Sequence, residues 1–275
     1  MTGSWRGGRI WAILRSVVCL LLAIYMLAPM VVVVVISFSS AHFLHFPPPG
    51  LSLQWYRRLL QTEAWTSSLV TSVEVMVPTA LLATAFGTAA AVGLARARFR
   101  GAALVGGLLM APMVVPVIII AAAVFALFHA WGLNGTLWGL IIAHTLLTTP
   151  YVMANVRSAM ETVDRRLEQA ALTLGATPWR CFWRVTFPLI LPGVLSGLLF
   201  ALVVSFDELI VSLFISTPEV RPVTVQMWSD VRSAVDPTIS AIATVLFAFS
   251  FVVLLAESLL RRRAEPGALV EGLAQ

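Results

Sequence analysis

The sequence predicts an all-α integral membrane protein with six transmembrane helices, and three observations lead to this fold class. Of the 275 residues, 59% are hydrophobic and 11% charged, and mean hydropathy is +0.93, whereas soluble domains contain about 25% charged residues. Six apolar runs are long enough to cross a bilayer, and arginines concentrate in the connections between alternate runs. This composition argues against a water-soluble enzyme.

Each apolar run reaches the roughly 20 residues that a membrane span requires. The runs cover 16–36, 67–95, 103–129, 136–155, 189–216 and 238–260. The first run exceeds the roughly 7–15 residues of a signal-peptide core, and no small-residue cleavage site follows it. We therefore expect it to be a retained helix.

The arginines predict the orientation. All 18 basic residues are arginine. Fourteen lie in the N-terminal tail, the 96–101 and 156–188 connections and the C-terminal tail, and four lie in 37–65 and 217–237. Because basic residues favour the cytoplasmic side, both termini are predicted to be cytoplasmic. Arginine clusters between apolar runs do not suggest nucleic-acid binding, and without lysine the chain lacks the P-loop residue of an ATPase.

The connections on the predicted outer side are long enough to hold structure. Residues 51–65 are predicted to form an interfacial helix with Trp55 and Tyr56 at headgroup depth. Residues 217–237 contain three prolines and are predicted to form an ordered loop, not a span. The two cysteines and four histidines are scattered, so no disulfide framework, metal site or cofactor is predicted.

The 156–188 connection is predicted to contain two short helices. Asp164 is a candidate N-cap, and Gly175 is placed to end the first helix. Thr177 is a second N-cap, with Pro178 in the first helical position, and Pro188 is expected to end the second helix. Helical spacing gives each helix one apolar face, formed by Leu167, Ala170, Ala171 and Leu174 in the first and by Trp179, Phe182, Trp183 and Thr186 in the second.

Two interpretations of this helix pair remain open at this point. It could lie flat on the inner membrane surface with tryptophan and arginine at the headgroups. It could instead be a docking element, in which small residues allow a partner protein to approach closely.

The same connection resembles a known motif. Gln169-Ala170-Ala171, Gly175 and Val185-Thr186-Phe187-Pro188 are similar to the EAA motif, E-A-A-x3-G-x9-I-x-L-P, of bacterial ATP-binding-cassette (ABC) importer permeases. Gln169 stands where glutamate is usual, Val185 replaces isoleucine, and Phe187 replaces leucine. Glu168 supplies a carboxylate one residue earlier.

The resemblance implies a type I importer permease (MetI-like) fold in the bacterial inner membrane. Residues 64–260 would form the permease core with coupling helices at 164–187, after a segment 1–63 (tail, first span and outer interfacial segment) and before a tail 261–275. It also implies partners: two ABC ATPase subunits, a second homologous permease forming a heterodimer and an extracytoplasmic solute-binding protein. The residues implied to couple to the ATPase are Glu168, Gln169, Ala170, Ala171, Gly175, Ala176 and Pro188.

Further along, Ser205-Phe206-Asp207-Glu208, followed by Ser212 and Phe214, resembles the SFDD or SFDE segment of spermidine/putrescine-type permeases. Residues 223–238 resemble the outer loop of that subfamily. The resemblance implies polyamine import by alternating access, without an ATPase site in this chain. A phosphonate, opine, iron or other amine importer is the alternative.

Only Asp207 and Glu208 are expected deep in a span, and such carboxylates tend to face a wet pathway or a partner. Helical spacing places Ser205, Glu208 and Ser212 in one polar stripe, so Glu208 is assigned to a substrate pathway. Asp207 is either a second pathway group or an interhelical partner, and both acids could instead contact the second permease. A secondary transporter would show inverted repeats, and a membrane enzyme would show a nucleophile–base pair; neither is visible.

Overall fold

A computed structural model describes residues 4–96, 100–233 and 236–264. Within these ranges the regular structure is helical, apart from one isolated bridge between Ser39 and Leu51. The α-helices are α1 (Ser4–Ser37), α2 (Gln54–Gln61), α3 (Glu63–Arg96), α4 (Ala102–Val114), α5 (Val117–Trp131), α6 (Leu137–Thr162), α7 (Arg165–Thr173), α8 (Pro178–Cys181), α9 (Phe187–Asp207), α10 (Ile210–Ile215), α11 (Val223–Ser233) and α12 (Thr238–Ala264). A π turn, Phe182–Thr186, joins α8 to α9.

Among the described residues, five continuous segments have the length and hydropathy of membrane spans: Trp11–Ser37, Glu63–Arg96, Leu137–Thr162, Pro178–Asp207 and Thr238–Leu259. The predicted third span, 103–129, is not one helix. It divides into α4 and α5, which meet at an angle of 102°. The break falls at Pro116, because Val115 takes the extended conformation that a residue before proline prefers. Counting this bent pair as one span gives the six predicted.

The predicted fifth span, 189–216, also differs from a single helix. Helix α9 ends at Asp207. Glu208 has an extended backbone with ψ 111°, and α10 begins at Ile210. At its other end the helix continues back to Pro178, so the expectation that Pro188 ends the second coupling helix is wrong. Pro188 follows the π turn and lies in the first turn of α9, where its missing N–H is tolerated.

The described residues divide into two compact units, one drawn from those within 1–63 and 229–247 and the other from those within 64–228 and 248–275. In the second unit, α6 is packed closely by α3 and α9. A Cβ on Gly87 would lie 2.7 Å from Val152 Cβ, and one on Gly197 would lie 3.0 Å from Val152 Cγ1. Glycine at both positions therefore lets two helices approach the same residue of α6.

In the first unit, the predicted helix in 51–65 is confirmed as α2, but its tryptophan is not at an exposed interface. Trp55 is buried, and its indole N–H donates to the Ser39 carbonyl oxygen at 2.8 Å. The Tyr56 hydroxyl bonds Ser37 Oγ at 2.7 Å. The amphipathic pattern thus packs α2 against its own chain. In the 217–237 connection, α11 is an ordered helix of 11 residues, too short to span a bilayer.

Candidate functional site

The helix pair α7 and α8 begins and ends as its local sequence predicts. The Arg166 N–H donates to Asp164 Oδ1 at 2.9 Å, and the Arg180 N–H donates to Thr177 Oγ1 at 3.3 Å. Both N-caps are confirmed. Gly175 has φ +86°, the left-handed conformation that ends a helix and favours glycine.

Most of this pair is uncovered in the single chain, and we call α7, the Gly175 turn and α8 the coupling loop. Leu174 is 88% exposed and Trp179 is 72% exposed. Gln169 and Ala170 are also exposed, while Ala171 is half-buried. An exposed cluster of large apolar side chains around small ones indicates a contact surface.

Two residues that the sequence assigned to the coupling helices, Thr186 and Glu168, are not part of this exposed surface. Thr186 is buried, because the π turn widens one helical turn and shifts the spacing that grouped it with Trp179 and Trp183. Glu168 points inward: its Oε1 forms an ion pair with Arg96 Nη2 and accepts a 2.6 Å hydrogen bond from Thr186 Oγ1. Glu168 therefore joins the loop to α3 and to the start of α9.

The break between α9 and α10 is held by specific hydrogen bonds. The Val211 N–H donates to Glu208 Oε1 at 2.8 Å, so this carboxylate caps α10. Thr224 Oγ1 donates to the Glu208 carbonyl oxygen at 3.1 Å. Because the chain leaves the helix at Glu208, Ser205, Glu208 and Ser212 do not lie along one continuous helix, as the predicted stripe assumed. Asp207 is exposed and Glu208 is half-buried.

Ser205 and Ser212 lie buried on opposite sides of the break and both bond His144 of α6. His144 Nδ1 lies 3.0 Å from Ser205 Oγ, and Nε2 lies 2.9 Å from Ser212 Oγ. A neutral imidazole donates from one nitrogen and accepts at the other, so both bonds form together. His144 thus clamps the two sides of the break. Sequence reasoning treated it as a scattered histidine, although an ionisable residue within a span was the available signal.

Glu74 was also missed by the expectation that only Asp207 and Glu208 stand deep in a span. It lies in α3, eleven residues after Glu63, or about 16 Å along the axis. It is exposed beside the exposed side chains of Val70 and Leu81. Averaging the hydropathy over the whole apolar run 67–95 hides a single acidic residue within it. A carboxylate on such an apolar face calls for a cation, water or a protein partner.

We expect His144→Leu to destabilise the protein by about 1–3 kcal/mol for each buried hydroxyl left without a partner. Thermal unfolding of the detergent-solubilised protein measures this as a lowered midpoint. Thr145→Val is the matched control, since the Thr145 hydroxyl bonds only the Ile141 carbonyl of its own helix. An equal midpoint for the two variants would contradict the clamp.

The helices long and apolar enough to cross a bilayer define a polytopic membrane protein, and the coupling loop exposes large apolar side chains on one connection. Residues 83–266 match the model of the family described as binding-protein-dependent transport system inner membrane component. The chain belongs to this family, and it is accordingly a multi-pass protein of the inner membrane.

Curated relatives and a solved structure agree with this assignment. The chain is 30% identical over 243 residues to the spermidine/putrescine transport system permease protein PotC of Escherichia coli strain K12, covering 88% of this chain and 92% of that protein. It is 34% identical over 239 residues to the putrescine transport system permease protein PotI of the same strain, covering 84% and 85%. A bacterial ABC transporter involved in alginate import superposes with a TM-score of 0.71 at 17% identity, covering 93% of this chain and 97% of that one. This structural likeness confirms the ABC permease fold.

Proposed function

We propose that this permease subunit imports polyamines, such as spermidine or putrescine, driven by a separate ATPase. Similarity to two polyamine permeases over most of the chain carries the proposal. Polyamines carry several positive charges, and the chain presents carboxylates within or beside its spans, at Glu74, Asp207 and Glu208. Carboxylates in a low-dielectric setting attract such cations strongly.

The assembly that we propose has two ATPase subunits, a second homologous permease and an extracytoplasmic binding protein. The family description itself names dependence on a binding protein. The exposed Leu174 and Trp179 support docking of an ATPase on the coupling loop, because a partner would remove them from water. ATP binding would then move this loop and shift the bundle between inward-open and outward-open states.

Within the bundle, Asp207 and Glu208 are proposed to meet the substrate at the break after α9. Asp207 is exposed there, and Glu208 is held by the cap on α10. Ser205 and Ser212 contribute by holding the break through His144. Their role in the pathway is therefore one of support.

Transport in proteoliposomes tests the function directly. The complex of both permeases and the ATPase is reconstituted with the binding protein, and uptake of labelled spermidine, putrescine, a phosphonate and ferric iron is compared. We expect ATP-dependent uptake of the polyamines alone. Uptake of another solute, with none of either polyamine, would contradict the substrate assignment and leave the permease assignment intact.

The orientation is a second prediction. Reporter domains fused after residue 100 and after residue 263 are expected to report the cytoplasm, and one near residue 225 is expected to report the outer side. The reason is the excess of arginine in the connections assigned to the cytoplasm. A cytoplasmic signal at residue 225 would contradict the arginine-based topology.

A further inference from the structure

We propose that Arg96 and Glu168 form a strut that transmits movement of the docked coupling loop to α3. Glu168 is then a positioning residue that acts inside the chain, and it does not contact the ATPase. This inference rests on the proposed docking of an ATPase at the coupling loop. It concerns how docking is converted into movement of the membrane helices.

Three elements meet at one carboxylate oxygen. Glu168 of α7 binds, through Oε1, both Arg96, the last residue of α3, and Thr186 in the π turn before α9. A second contact runs parallel, since Arg165 Nη2 donates to the Ala95 carbonyl oxygen at 2.9 Å. The first coupling helix is therefore attached to the end of one membrane helix and to the beginning of another.

The polar contacts border a cavity between α3 and the coupling loop. A cavity of about 240 Å³ lies next to the ion pair, lined among others by Val92, Leu172 and Phe182. Beside this cavity, the ion pair and the hydrogen bond from Arg165 link α7 directly to the end of α3. Arg96 and Arg165 supply the polar contacts through which a movement of α7 would reach α3.

The ion pair of Arg96 and Glu168 is also less exposed than an ordinary surface ion pair. The side chains of Arg96 and Glu168 are 30% and 14% exposed. Arg157 and Glu161, an i,i+4 pair on α6 at 3.4 Å, are 65% and 69% exposed. Exposed pairs contribute little, whereas removal of one member of a shielded pair leaves an uncompensated charge. The α6 pair therefore provides a matched control.

The adjacent residues Glu168 and Gln169 of the coupling loop have different roles. Gln169 occupies the position of the motif glutamate and is exposed, whereas Glu168 is turned inward. A neutral residue at 169 leaves the internal ion pair intact. Docking and transmission are thus assigned to adjacent residues on different faces of α7.

The experiment compares Glu168→Gln, Arg96→Gln and the exchange Arg96→Glu with Glu168→Arg in the complete reconstituted complex. ATP turnover and substrate uptake are measured in the same vesicles. We expect the single variants to assemble and hydrolyse ATP while uptake per ATP falls about tenfold, within the range of typical coupling energies. The exchange should restore part of the loss, and the double variant Arg157→Gln, Glu161→Gln should transport normally.

Hydrogen exchange provides a readout that does not depend on the substrate. With ATP and vanadate, the wild-type complex should show protection of α7 and a change of exchange in α3; Glu168→Gln should keep the first and lose the second. Unchanged uptake per ATP and an unchanged α3 response in this variant would overturn the strut. Loss of the ATPase subunit from Glu168→Gln would overturn it as well, by making Glu168 a docking residue. Absence of α7 protection in the wild type would instead contradict the proposed docking.

Discussion

Gly175→Val is expected to abolish ATPase docking and transport while leaving the membrane helices folded. Gly175 has φ +86°, and no heavy atom beyond its chain neighbours lies within 4 Å of the position that a Cβ would occupy. The penalty therefore comes from the backbone alone, about 1–2 kcal/mol for an L-residue in the left-handed region and more for a β-branched one. The turn relieves this strain by changing φ, which rotates α8 relative to α7.

Co-purification with the ATPase subunit and uptake by the reconstituted complex measure the effect. Gly93→Val is the matched control, because its Cβ position is equally open and its φ is that of an ordinary helix. We expect this control to retain both docking and uptake. Equal loss of docking in Gly175→Val and in the control would contradict the role given to the turn.

The substitution Ala170→Trp tests the same surface by adding a large side chain to it. Ala170 is exposed and Ala171 is half-buried, so Ala170→Trp adds volume toward the partner with less disturbance of the chain than Ala171→Trp. Insertion and folding should be unchanged while docking is blocked. If Gly175→Val and Ala170→Trp both bind the ATPase normally, the helix pair lies on the membrane surface and the docking proposal is wrong.

The sequence predicts the coupling loop well because its determinants are local. Asp164 and Thr177 cap helices that begin one residue later, and Gly175 ends α7 through its own backbone freedom. The six apolar runs were equally visible, since burial in lipid depends on composition over about 20 residues. These features need no knowledge of the tertiary structure.

The features that were mispredicted depend on distant residues. The residues around Glu208 give no local signal of a helix break, because the break is held by His144 on another helix and by Thr224 in the next segment. Likewise, the inward direction of Glu168 depends on Arg96, 72 residues earlier in the chain. Helical spacing assumes a continuous helix, and it fails where tertiary contacts interrupt one.

Asp207→Asn is expected to lower polyamine uptake at least tenfold without loss of assembly or ATP turnover. Asparagine keeps the size of the side chain and removes its charge, and a hydrogen bond to a charged group contributes about 1.5–3 kcal/mol, of which 1.4 kcal/mol is a factor of ten. Asp207 is exposed at the break, so the substitution changes a side chain that is not buried in the core. The loss should appear as a raised KM, and more strongly for spermidine than for the less charged putrescine.

Glu208→Gln should have a smaller effect if its main task is structural, because a glutamine oxygen can still accept from the Val211 N–H. Glu74→Gln tests the third acid, whose face on α3 is apolar, and Glu161→Gln removes an exposed acid of α6 as the charge control. A raised KM in Asp207→Asn but not in Glu161→Gln separates a pathway charge from a general loss of negative charge. If Asp207→Asn, Glu208→Gln and Glu74→Gln all take up polyamine at the wild-type rate, these three acids contact the second permease or lipid headgroups instead, and the cationic substrate then rests on similarity alone.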